Sequence, residues 1–173
     1  MNMKDARHVV FDVETTGLSP GNGDRIIEIG AVAVAGGNMG EEFHSLIQVS
    51  ERISREVQRI HGITNETLKN APMPEVVFSR FRDFIRDSAL VAHNARFDVG
   101  FLRREFERLR LSLNNRWVCT LAMSRRRFPH LRNHKLDTVY RSVVGREISD
   151  YQRHRALDDA RMVAAIWLAM KEK

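Results

Sequence analysis

At 173 residues, with 43% hydrophobic and 29% charged side chains, the sequence has the make-up of one globular domain with a substantial core, which excludes a disordered chain. Its 28 Lys and Arg against 22 Asp and Glu leave a net charge of +6, a balance that favours polyanionic partners, nucleic acid first and an acidic membrane surface second. The single cysteine, Cys119, excludes an intrachain disulfide and any multi-cysteine metal site.

No repeat, low-complexity tract or linker interrupts the chain, so a single domain over residues 1–173 is expected. A charged N-terminus and the lack of any apolar run of about 18 residues read as a cytoplasmic protein with no membrane partner. In chain order, "HVVFDV" is apolar on both faces at its start, as a central strand is. "RIIEIGAVAVA" and "EFHSLIQV" follow as strands, separated by "GGN" with Met39 and Gly40 after it, a hairpin turn. "SREVQRI" is a short helix, and "PEVVFSRFRDFIRD" carries Val77, Phe81, Phe84 and Ile85 at helical spacing behind Pro74. "ALVAHN" is a short buried strand, and "FDVGFLRREFERL" is an amphipathic helix with Phe101, Leu102, Phe106 and Leu109 on one stripe. "RWVCT" reads as another strand. Leu136, Val139, Tyr140 and Val143 make a helix ending at Gly145, and "ALDDARMVAAIWLAM" makes the last and longest one. Strands first, then strands and helices interleaved, predict a mixed sheet covered by helices.

Against this pattern several acids look misplaced. Asp12 and Glu14 project from one face of the first strand, roughly 6.6 Å apart along it, where like charges repel and lose water. Asp98 falls within the apolar stripe of its helix near the start, where the plain alternative is an acid complementing the helix dipole. Glu105, two turns on, reads as a structural hydrogen-bonding group. In "HRALDDA" only one of two adjacent acids can face inward. With Val163 at the centre of the buried stripe, helix geometry puts Asp159 inward with Ala156, Ala160, Ile166, Trp167 and Met170, and Asp158 outward with Arg161 and Ala165. Asp12, Glu14, Asp98 and Asp159 make sense gathered around divalent cations, and an all-oxygen donor set matches Mg²⁺ or Mn²⁺. His154, just before the last helix, is then a candidate general base near neutral pH.

"DVETTG", "HNARFD" and "HRALDDA" resemble the three motifs of the DEDD 3′→5′ exonucleases, in the subgroup whose third motif contains His. Within that family the nearest resemblance is to the exonuclease domains of the proofreading epsilon subunits of bacterial DNA polymerase III. It covers nearly the whole chain, with "IHGIT" and "FPHLRNHKLDTV" between the motifs also alike. The resemblance implies an α/β, ribonuclease H-like fold, a mixed five-stranded sheet with its first three strands antiparallel and helices on both sides. It implies that Asp12, Glu14, Asp98 and Asp159 hold two divalent cations, Mg²⁺ or Mn²⁺, and that His154 takes the proton from a water attacking the last phosphodiester in line. It also implies that Glu56 and His61 line the pocket for the 3′-terminal nucleotide, and the Thr15-Thr16-Gly17 turn is expected to bring backbone amides to it.

Arg125, Arg126, Arg127, Arg132 and Lys135 in "RRRFPHLRNHK" read as a phosphate-binding loop or as a merely solvated one, with Phe128 its buried anchor. The expected partner is single-stranded nucleic acid with a 3′ end, DNA in preference to RNA. A DNA polymerase is a possible second partner, although no C-terminal extension of the kind that holds one follows the last helix. The rival functions are an RNA-trimming exonuclease of the same family and a catalytically silent binding or assembly module of the same fold.

Overall fold

The computed structural model describes residues 6–146, 151 and 154–172. Five strands form one sheet in the order β3-β2-β1-β4-β5: β1 His8–Thr15, β2 Ile26–Ala35, β3 Asn38–Leu46, β4 Ala89–Ala92 and β5 Trp117–Cys119. β1 pairs antiparallel with β2, and β2 with β3, whereas β4 runs parallel to both β1 and β5. The sheet is therefore mixed, and the C-terminal ends of β1, β4 and β5 share one edge.

Alternation along β1 divides the core. Val9, Phe11 and Val13 pack with the buried faces of α3 (Pro74–Ile85) and α4 (Ala95–Arg108). Val10 packs on the other side with Val32, Val34 and Val91 against α6 (Leu136–Val144) and α7 (Ala156–Glu172). Two short helices, α1 (Arg55–His61) and α2 (Asn65–Leu68), are capped by the hydroxyls of Ser54 and Thr64 and cover a third cluster around Ile27, Ile53, Ile63 and Leu68.

The structure refines three expectations. The hairpin turn is tighter than "GGN" implied: Gly36 and Gly37 alone make it, both at positive φ, and β3 starts at Asn38. Arg125–Arg127 are the last turn of a helix, α5 (Thr120–Arg127), not part of a loop. Phe84 is only partly buried, while Phe78, nearly two turns earlier, is wholly buried. Phe128 packs against the second core cluster as the expected anchor, and Glu105 makes its expected structural bonds, a forked pair with Arg25 at 2.8 and 2.9 Å. Among the described residues, no helix is long and apolar enough to cross a membrane.

Candidate active site

Glu14 stands opposite Glu28 in the β1–β2 ladder and Asp12 opposite Gly30, so both acids share the face of β1 that looks toward α7. Directly after Glu14 the register slips, with Thr15 facing Ile26 and Ile27 left as an extra residue. Such a bulge turns the chain out of the strand and into the Thr15-Thr16-Gly17 turn. Gly30 leaves room for α7. A Cβ there would lie 2.2 Å from the Leu157 nitrogen and 2.4 Å from the Ala156 carbonyl carbon, so the first turn of α7 rests directly on the strand beside Asp12.

That seat delivers the third motif. Asp159 is 5% exposed, and it meets Glu14 and His154 so closely that one ligand atom from each lies within 4.8 Å of the others. Asp98, in the first turn of α4, is 3% exposed and hydrogen-bonded to the backbone of Val13, the residue between Asp12 and Glu14. Burial pushes its carboxyl up to about 7, against the pull of backbone hydrogen bonds at Asp98 and Val13, and the Asp159 carboxylate raises it further. Among the described residues, no arginine or lysine figures in that balance. Glu14, Asp98, His154 and Asp159 thus converge, with Asp12 on the same strand face. The carboxylates of that set, one of which burial holds back from ionising, fit a divalent cation of the oxygen-seeking kind.

His154 is exposed and has φ +59°, a left-handed conformation that residues with a Cβ adopt at a cost. His61 is buried at the end of α1, where its Nδ1 accepts from the Ile63 N–H at 3.0 Å, so the ring proton is on Nε2. Nε2 lies against the Thr15 backbone without a hydrogen bond of normal geometry. Burial lowers the His61 pKa, and the ring feels the charges of Glu28, His154 and Arg155, which puts it beside the acids. Glu56 is exposed on the first turn of α1.

Thr15 and Thr16 are both buried and bonded within the turn. Thr15 Oγ1 donates to the Gly17 carbonyl at 2.6 Å, and Thr16 Oγ1 accepts from the Arg25 N–H at 3.0 Å. The Thr16 N–H itself donates to the Arg25 carbonyl at 2.9 Å, so it is not an amide that can face a nucleotide. The arginine run divides as well. Arg125 lines an open cleft with His93, Asn94, Asn133, His134 and Lys135, whereas the Arg127 guanidinium donates to the Met170 carbonyl near the end of α7.

Two residues at the site escaped the sequence reading. Glu28 is wholly buried and accepts from Arg155, from His44 and from the Ala156 N–H. Burial alone would raise its carboxyl, but those bonds, His44 and Arg155 foremost, hold it down at about 2. The available signal was an acid flanked by isoleucines in a central strand. Its partner lies 127 residues away, beyond any local pattern.

The exonuclease family model RNase_T matches residues 9–167. The chain is 43% identical over 169 residues to a PolC-type DNA polymerase III of Thermotoga maritima, covering 97% of this chain and 12% of that relative. It is 38% identical over 175 residues to the DNA polymerase III subunit epsilon of Rickettsia typhi, covering 97% of this chain and 75% of the relative. The chain thus spans about an eighth of the PolC-type relatives it matches. Among solved structures, exonuclease X in complex with 5′ overhanging duplex DNA superposes with a TM-score of 0.74 at 26% identity, over 96% of this chain and 92% of that one. The nuclease domain of 3′hExo, a DEDDh family member bound to rAMP, shares the fold with a TM-score of 0.82 at 18% identity, over 99% and 94% of the two chains. The sheet order and these neighbours make the fold ribonuclease H-like. The chain belongs to the RNase_T exonuclease family and, as a member of it, is a hydrolase.

Proposed function

We propose that residues 1–173 form one exonuclease domain that removes nucleotides from the 3′ end of single-stranded or frayed DNA, in proofreading or repair. The observation that carries this reading is the convergence of Glu14, His154 and Asp159 within 4.8 Å, beside the buried Asp98. Asp12, Glu14, Asp98 and Asp159 would hold two divalent cations, Mg²⁺ or Mn²⁺. When bound, these supply activation of the attacking water and charge stabilisation at the departing 3′-oxygen.

The chain's own groups do the rest. His154 takes the proton from the water and, being exposed, exchanges it with solvent. The Thr15–Gly17 turn and His61 would line the pocket for the terminal nucleotide, with Glu56 at its rim. The +6 charge draws the strand in, and Arg125 and Lys135 offer cations along the cleft at the start of α4. The relatives support a DNA polymerase as working partner, in the cytoplasm.

The test is digestion of matched 5′-labelled single-stranded DNA and RNA by wild type and Asp159→Ala, with Mg²⁺, Mn²⁺ or EDTA. The expected result is a cation-dependent ladder shortening from the 3′ end, faster on DNA and absent in the variant. Faster cleavage of RNA would move the substrate to RNA trimming, and cleavage of neither would leave a silent module.

A further inference from the structure

We propose that Glu28 and Arg155 form a clamp that sets His154 in position for proton abstraction, an inference that rests on the reading of His154 as the general base. Left-handed backbone is strained for a residue with a Cβ and persists only where the surroundings enforce it. His154 is exposed at φ +59°, so burial of its own side chain does not do the enforcing. The neighbouring residue does.

Arg155 donates Nε to both Glu28 oxygens, at 3.0 and 3.2 Å, and a terminal nitrogen to Oε1 at 2.7 Å. Glu28 Oε2 also accepts the Ala156 N–H at 3.2 Å, and Oε1 meets His44 Nε2 at 2.7 Å. One wholly buried carboxylate therefore grips both the side chain that follows His154 and the first amide of α7. Glu28 is also the ladder partner of Glu14, so the strand position that fixes this metal-ligand candidate fixes the start of residues 154–156 as well. The clamp makes the spacing between Glu14 and His154 a property of the β1–β2 register instead of a loop. Both residues act through His154 and touch no substrate; they are positioning residues.

A purely structural pair would lower stability and leave turnover per folded molecule alone, and the experiment separates the two. Glu28→Gln keeps an acceptor for Ala156, and Arg155 is 33% exposed and can turn to water, so the fold is expected to survive; Arg155→Lys is the milder second variant. Each is expected to lower kcat on single-stranded DNA about 10–100-fold, as loss of an outer supporting partner does, with KM within about twofold. Neither is expected to lower kcat further in a His154→Ala background, because a residue acting through His154 has nothing left to position. The same fold-loss in that background, or unchanged kcat in both single variants, would overturn the clamp. A readout independent of cleavage is the NMR order parameter of the His154 amide, expected near 0.85 in wild type and below about 0.6 in both variants. Equal order in all three would also overturn it. If wild type cleaves no nucleic acid, the functional reading fails, and the order parameters alone still decide whether Glu28 and Arg155 hold His154.

Discussion

Glu28 and Asp98 are both buried carboxylates, and their surroundings drive them in opposite directions. Glu28 is met by a guanidinium, an imidazole and a backbone N–H, and stays ionised down to about 2. Asp98 has the backbone of Val13 and its own backbone on one side and the Asp159 carboxylate on the other, and holds its proton up to about 7. Glu105, forked to Arg25, belongs with Glu28. The fold thus supplies guanidinium and imidazole partners to the acids that hold elements together, whereas burial and a second carboxylate are what raise Asp98. A divalent cation from solution would favour the ionised form of Asp98.

Neutralising one acid of each kind separates the two roles most strongly. Asp98→Asn is expected to lower cleavage about 10³-fold or more, the loss of several kcal/mol of transition-state charge stabilisation, while the melting temperature in EDTA holds or rises. Glu105→Gln is expected to do the reverse. Breaking a buried pair costs about 3–5 kcal/mol, so thermal melting falls by roughly 10 °C, while cleavage per folded molecule stays within about threefold. Equal destabilisation by both substitutions would erase the distinction.

The two carboxyls also differ in how they titrate. The Asp98 carboxyl is raised from 3.8 to about 7, so the folded chain keeps a proton that the unfolded chain releases. Its contribution to stability in EDTA therefore falls as pH rises across that window, then levels off. Glu28 is lowered from 4.5 to about 2, so its contribution is complete above 4.5 and lost as pH falls through about 2. Urea unfolding in EDTA is expected to show Asp98→Asn gaining on wild type between those first two values, with added Mg²⁺ cancelling the gain. A constant offset across pH would mean that Asp98 does not titrate there.

What could be read without the structure follows from where the signal lies. Helix period alone placed Asp159 inward and Asp158 outward, because α7 carries a dense apolar stripe, and alternation placed Asp12 and Glu14 on one face. α5 escaped because only Thr120 and Ser124 of its residues are buried, leaving no apolar period to detect. α2 escaped because it is four residues long. Glu56 and His61 carried no signal beyond the resemblance. The Glu28–Arg155 pair, the seat at Gly30 and the left-handed His154 depend on α7 docking onto β2, and no local pattern reports a contact between strands and a distant helix start.

The basic cluster offers a smaller test of the same division. Arg127 is tied to the end of α7, while Arg125 lines the cleft beside the start of α4. Arg125→Ala is expected to reduce the salt slope of single-strand binding by about 1, and Arg127→Ala to lower melting with the slope unchanged. Equal slopes in wild type and Arg125→Ala would remove the cleft from the binding path.

The smallest expected effect comes from the two adjacent acids of α7. Asp158 pairs with Arg161 at 2.8 Å, and Arg161 also forks onto Glu42 of the edge strand at 2.8 and 2.7 Å. Asp158→Ala leaves Arg161 its second partner, the helix-surface pair it removes is worth about 0.3–0.5 kcal/mol, and cleavage is expected to stay within about twofold. Asp159, one residue on, is turned 100° around the helix into the acidic site, and its removal is expected to abolish cleavage. The two carboxylates differ by a single helical step, and the step decides whether the charge meets an arginine of the chain or the other acids. Equal losses from the two alanine variants would mean that α7 presents a different face to β1, and the assignment of Asp159 would fall with it.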